Sequence, residues 1–195
     1  MRVFMDTEFT QLYHQVHETK MISIGLYTED CRRYFYAELT DNYTQDECSD
    51  FVREVVLPLL DASPLQETID YKRVHARMTR AQCAEHLSAW IAAIQEPVEI
   101  ISDAPNYDWP LLTNLFQDRL WPPMLLRECR TCYPSDESER LYLQNQETLL
   151  ASFYRRHHAL DDAKVMALCN MSNMINRGEL SHNLHLLFEG LAGVK

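Results

Sequence analysis

The sequence predicts an α/β fold, a mixed sheet flanked by helices, and three observations point there. Three early runs, RVFMD (2–6), MISIGLYT (21–28) and RRYFYAEL (32–39), are rich in β-branched and aromatic residues. Farther on, helical periodicity alternates with VEIISD (98–103), a nearly continuous apolar run of the kind found in a strand buried on both faces. With 195 residues, 46 % of them hydrophobic, the chain can bury one core, and a single domain over 1–195 is expected.

The first three runs read as an antiparallel meander, with EDC (29–31) turning between the second and third. TQDECSDFVREVVLPLLD (44–61) spaces Phe51, Val52, Val55, Val56 and Leu59 for a helix, with Thr44 as its N-cap. Residues 61–78, mixed, with Pro64 and the basic cluster YKRVHARM (71–78), read as a surface loop. Thr79 then opens a helix, TRAQCAEHLSAWIAAIQ (79–95), which Pro97 ends. The strand at 98–103 feeds NYDWPLLTNLFQDRL (106–120), again helical. Between 121 and 143 the pattern gives a strand near MLLRECRT (124–131) and a polar loop at YPSDESER (133–140). NQETLLASFYRR (145–156) and ALDDAKVMALCNMSNMIN (159–176) read as two helices joined at a His-His pair.

Composition excludes several classes. A net charge of -11, from 29 acidic and 18 basic residues, argues against wrapping duplex DNA by phosphate neutralisation. It leaves nucleic acid open as a substrate, because a site for divalent cations brings its own carboxylates. Four glycines, at 25, 178, 190 and 193, cannot build a Gly-rich phosphate loop or a dinucleotide fingerprint, and no G-x-S-x-G elbow occurs. The six cysteines are scattered and read as reduced thiols; CRTC (129–132) lacks the second ligand pair of a structural zinc site. The N-terminus carries no basic region followed by an apolar run, and the longest apolar stretches are too short for a bilayer, so a cytoplasmic protein with no membrane partner is expected.

VFMDTEFT (3–10) places Asp6 and Glu8 two residues apart in an extended run. Their carboxylates point to one side and repel unless a cation lies between them. Asp108 in NYDWPLL and Asp162 in HHALDDAKVM also sit at the edges of apolar elements. Burying such groups is costly without a metal or a basic partner. Lysine and arginine are scarce beside the first three, which favours a metal. Taken singly, Asp108 reads as a helix cap, Asp161 and Asp162 as a solvated first turn, and His157 and His158 as surface histidines.

Their joint order changes that reading. DTE, YDWPLL and HHALDDA, in this sequence, resemble the three motifs of the DnaQ-like DEDDh family of 3′ to 5′ exonucleases, most closely its short stand-alone bacterial and phage branch. The resemblance runs from residue 2 to about 172. It implies an RNase H-like mixed sheet, an antiparallel meander of three strands plus parallel strands. It implies Asp6, Glu8, Asp108 and Asp162 as ligands for two Mg²⁺ or Mn²⁺ ions, which suit hard oxygen donors. His157 becomes the general base, since an imidazole titrates near neutral pH. The implied reaction releases nucleoside 5′-monophosphates from the 3′ end of single-stranded or 3′-overhang nucleic acid, RNA favoured over DNA.

Asp103 stands where many relatives carry Asn and is assigned a place behind the metal ligands, on the substrate side. Phe9 could present its ring to the terminal base, or face the core instead. Lys72, Arg73, Arg77, Arg80, Arg155 and Arg156 are candidate phosphate contacts or solvated surface. A homodimer could form through NLHLLFEGL (183–191), which could equally complete the core. Two other functions compete: a non-catalytic RNase H-like module that binds nucleic acid or protein, and a single-metal phosphatase acting on small nucleotides.

Overall fold

The computed structural model describes residues 1–12, 19–133 and 135–176; the apolar stretch 183–191 lies outside them. Along the chain run β1 (Arg2–Phe9), β2 (Met21–Thr28), β3 (Tyr34–Leu39), β4 (Arg73–Met78), α1 (Arg80–Ala92), β5 (Val98–Ser102), α2 (Pro105–Leu115), β6 (Leu125–Thr131), α3 (Asp136–Ser152) and α4 (Ala159–Asn176). The strands form one sheet in the order β4-β3-β2-β1-β5-β6. β1, β2 and β3 pair antiparallel, whereas β4 joins β3, β5 joins β1 and β6 joins β5 in parallel. The expected α/β class and three-stranded meander are both present.

Alternation along the strands sorts the core into two layers. Val3, Met5, Ile24, Leu26, Phe35 and Val74 face one side, where Leu87, Trp90 and Ile91 of α1 and Leu111, Leu112 and Leu115 of α2 cover them. Phe4 and Ile101 face the other, against Tyr142 of α3 and Val165, Met166 and Cys169 of α4. The site described below sits at the end of this second interface.

Three expectations need correction. Residues 73–78 form an edge strand, not a loop: Val74, Ala76 and Met78 are buried in strict alternation, a period masked by the intervening Arg73, His75 and Arg77. YPSDESER is not a loop throughout, because α3 begins at Asp136, capped by the Ser135 hydroxyl. Its acidic first turn suits a helix N-terminus, and the helix stops at Ser152, short of the expected 156. The expected helix at 44–61 is broken into a 3₁₀ turn (Gln45–Glu47) boxed by Thr44 and Glu47, then a wide π turn (Val52–Val56) and a 3₁₀ turn (Leu57–Leu59). Pro58, which has no amide proton to donate, lies in that last turn.

Candidate active site

The carboxylates gather where β1 and β5, running parallel, reach their C-terminal ends. Asp6 and Glu8 share the face of β1 that carries Phe4, under α4. Their partners across the ladder are Gly25 and Ser23 of β2. Gly25 has a specific purpose, since a Cβ there would lie 2.3 Å from the Ala159 carbonyl carbon and 2.4 Å from the Leu160 nitrogen. Only a bare backbone lets the first turn of α4 rest directly on the strand beside Asp6, and this contact brings Asp162 to the two β1 carboxylates.

Two triads result. Ligand oxygens of Asp6, Glu8 and Asp162 lie within 4.8 Å of one another, as do those of Asp6, Asp103 and Asp108. Asp6 belongs to both. Asp103, expected behind the other carboxylates, stands level with Asp6 and Asp108, directly after β5.

Asp108 is no helix cap. It lies one turn inside α2, whose N-cap is Ala104, and it is 1 % exposed. Its Oδ1 accepts from the Thr7 amide (3.1 Å) and the Thr7 hydroxyl (2.6 Å), while Oδ2 accepts from the Ser102 hydroxyl. The Ser102 oxygen in turn accepts from the Ala104 amide at 2.9 Å. Tyr142 of α3 donates to Asp103 Oδ2 (3.3 Å) and Tyr133 to the Asp103 carbonyl (2.6 Å). None of these supporting hydroxyls was identified from sequence. Thr7, inside DTE, was the one with a signal, because alternation sends it to the face opposite the two acids.

His157 sits immediately before α4 with a left-handed backbone, φ 65°, a conformation that costs a non-glycine residue about 1–3 kcal/mol. Its amide donates to Asp162 Oδ2 (2.8 Å), so the strained residue and the carboxylate hold each other. Its ring packs edge-on against Phe51 at 5.0 Å, and Phe51 is itself 51 % exposed. Burial, with the nearby Arg156 charge, lowers the His157 pKa. The neighbouring pair points elsewhere: His158 is buried against Tyr36, and Asp161 accepts from Arg155 Nε at 2.8 Å. Phe9 lies on the α2 side, stacked on Tyr107 at 6.1 Å, and packs against the core there.

Of the basic candidates, Arg155 bridges Asp61 and Asp161, Arg156 pairs with Glu147, Arg80 donates to the Asn114 carbonyl, and Arg77 lies 4.0 Å from Glu38. Lys72 and Arg73 are exposed at the sheet edge. All six cysteines are free, and Cys129 and Cys132 pack into opposite core layers, consistent with their odd spacing along an extended chain.

The electrostatics of the cluster are those of a site built for cations. Burial, then the charges of Asp108, Glu8, Asp162 and Asp103, hold Asp6 well above the usual carboxylate range. Burial and the neighbouring acids raise Glu8 to about 8. Asp108 and Asp162 rise to about 7, again chiefly by burial, although hydrogen bonds from Ser102 and Thr7 and from the His157 amide pull the other way. Asp103 is raised by burial as well. Among the described residues, every Lys, Arg or His ion pair lies elsewhere. The donor set fits hard divalent ions: all oxygen, several charged, two triads joined through one residue.

Among the described residues no helix is long and apolar enough to cross a membrane. No family model matches the chain, and no curated protein does. Among solved structures it is similar to S. pombe Pop2p in a form bound to Mg²⁺ and Mn²⁺, with a TM-score of 0.58 and 18 % identity. That match covers 95 % of this chain and 87 % of Pop2p. The mixed six-stranded sheet with helices on both faces is therefore an RNase H-like fold, with its carboxylates at the parallel ends of β1 and β5.

Proposed function

We propose that this protein is a metal-dependent 3′ to 5′ exonuclease of the DEDDh type, acting on single-stranded or 3′-overhang nucleic acid with RNA favoured over DNA. The observation that carries the reading is the sharing of Asp6 between two carboxylate triads. Asp6, Glu8 and Asp162 on one side, and Asp6, Asp108 and Asp103 on the other, would hold two Mg²⁺ or Mn²⁺ ions. Such ions supply Lewis-acid stabilisation of charge on a phosphodiester and lower the pKa of a water.

The chain's own residues account for the rest. His157 is the general base: its lowered pKa leaves the ring neutral, and so able to accept a proton, at neutral pH. The amide bond to Asp162 fixes the backbone from which that ring projects. Thr7 and Ser102 orient Asp108, and Tyr142 orients Asp103. The exposed Phe51 beside His157 and the Phe9–Tyr107 stack offer flat faces for terminal bases, contacts worth roughly 1–3 kcal/mol per base.

The test uses 5′-labelled single-stranded RNA and its DNA counterpart with Mg²⁺ or Mn²⁺, beside an Asp6→Ala control. A ladder descending from the 3′ end, dependent on metal and absent in the control, is expected. Intact oligonucleotides that are nevertheless bound would establish the non-catalytic module instead, and release of inorganic phosphate alone would establish the phosphatase.

A further inference from the structure

A second convergence of metal-binding side chains lies on the same sheet face, three strands from Asp6. Asp6 pairs with Gly25, Gly25 with Tyr36 and Tyr36 with His75, so His75 of β4 ends a row that begins at the carboxylate cluster. Strands about 4.8 Å apart put it roughly 14 Å away. There His75 Nε2 lies 3.2 Å, and His158 Nε2 3.4 Å, from one oxygen of Asp61.

We propose that Asp61, His75 and His158 form a binding site for one borderline-soft transition-metal ion, Zn²⁺ being the representative case, distinct from the carboxylate triads. Ligand bonds of roughly 2.0–2.1 Å in a tetrahedron set neighbouring donor atoms roughly 3.3 Å apart, so the two Asp61 separations already match its edges. All three donor atoms lie within 4.8 Å of one another. Two imidazoles and one carboxylate favour zinc over magnesium, whereas the all-oxygen triads favour the reverse. The two sites would sort metals by donor chemistry.

The surroundings hold the ligands in place. Tyr36 lies against both imidazole rings, 4.7 Å from that of His75 and 4.6 Å from that of His158. Arg155 Nη1 binds the other Asp61 oxygen at 2.8 Å and leaves the first toward the histidines. Buried Glu38 accepts the Asp61 and Ala62 amides, both at 2.7 Å, which fixes the loop carrying Asp61. His158 is fully buried, while Asp61 and His75 reach solvent, leaving the fourth position to water. One rearrangement is required. His158 Nδ1 now faces the Asp161 amide at 3.4 Å, a long contact; with metal on Nε2 the ring proton moves to Nδ1, toward Asp161 Oδ2 at 3.8 Å. A carboxylate behind a ligating imidazole is the usual support of such a ligand.

A metal here would tie three segments together: the edge strand β4, the loop at Asp61 and the turn that carries His157 into α4. The experiment is a titration of the full chain with Co²⁺, then Zn²⁺, in excess Mg²⁺, read by the visible absorption of four-coordinate Co²⁺ and by thermal midpoint. It is repeated with His75→Ala, with Asp61→Asn and with the Asp6→Asn/Glu8→Gln pair. One equivalent of four-coordinate Co²⁺, displaced by Zn²⁺, is expected in wild type and in the Asp6/Glu8 variant. His75→Ala, a half-exposed edge position, should weaken binding by at least roughly tenfold. The proposal is overturned if no four-coordinate signal appears, or if it survives His75→Ala and Asp61→Asn but is lost with Asp6 and Glu8. Neither result depends on whether the protein cuts RNA.

Discussion

Thr7 stands between the two acids of the DTE motif and faces away from both, yet its amide and hydroxyl take one oxygen of Asp108. Residues that orient a ligating carboxylate typically matter about 10–100-fold in metal affinity or activity. Thr7→Val keeps the side-chain shape and removes only the hydroxyl. It should lower activity on an oligonucleotide, or Mn²⁺ affinity by calorimetry, by roughly that factor while the circular dichroism spectrum is unchanged. The carboxylates were readable in the sequence because an acid inside an apolar run demands an explanation. The hydroxyls of Thr7 and Ser102 were not, since Thr and Ser are ordinary in strands, and their role exists only once β1, β5 and α2 meet. The closeness of Asp103 to Asp6 was hidden for a related reason: it depends on β5 lying next to β1.

At the level of elements, the contact between Gly25 and the first turn of α4 decides whether Asp162 reaches its triad. Gly25→Ala would push α4 off the sheet, and overpacking of this kind costs about 1–3 kcal/mol. The expected outcome is a lower thermal midpoint together with a loss of activity larger than the loss of folded protein, checked by assaying well below the midpoint. The meander, β5, α1 and α4 were legible because each has one clear period and a boundary residue such as Thr79 or Pro97. β4 was missed because its exposed residues are basic and resemble a loop when the alternation of Val74, Ala76 and Met78 is not counted. The start of α3 was missed because its first turn is entirely polar and only Ser138 and Tyr142 of that helix are buried.

For the molecule as a whole, the raised carboxylates couple folding to protons and metal. Glu8 rises from 4.5 to about 8, and Asp108 and Asp162 from 3.8 to about 7. A group whose pKa is higher in the folded state favours folding below its unfolded value, and that contribution disappears as pH rises through the folded value. Metal-free protein should therefore lose thermal stability from about pH 4 to about pH 8, and saturating Mg²⁺ or Mn²⁺ should offset most of the loss at the alkaline end. Calorimetry near pH 7 in two buffers of different ionisation enthalpy should also show proton release on metal binding. The order in which the site is assembled has a consequence during synthesis. Asp6 and Glu8 lie in the first strand and Asp162 in the last described helix, 154 residues after Glu8. At about 5–20 residues per second, the ribosome needs on the order of 10–30 s to cover that interval. Until then a nascent chain holds at most the triad of Asp6, Asp103 and Asp108, without Asp162 or His157, so the second triad exists only once nearly all of the described chain has been made.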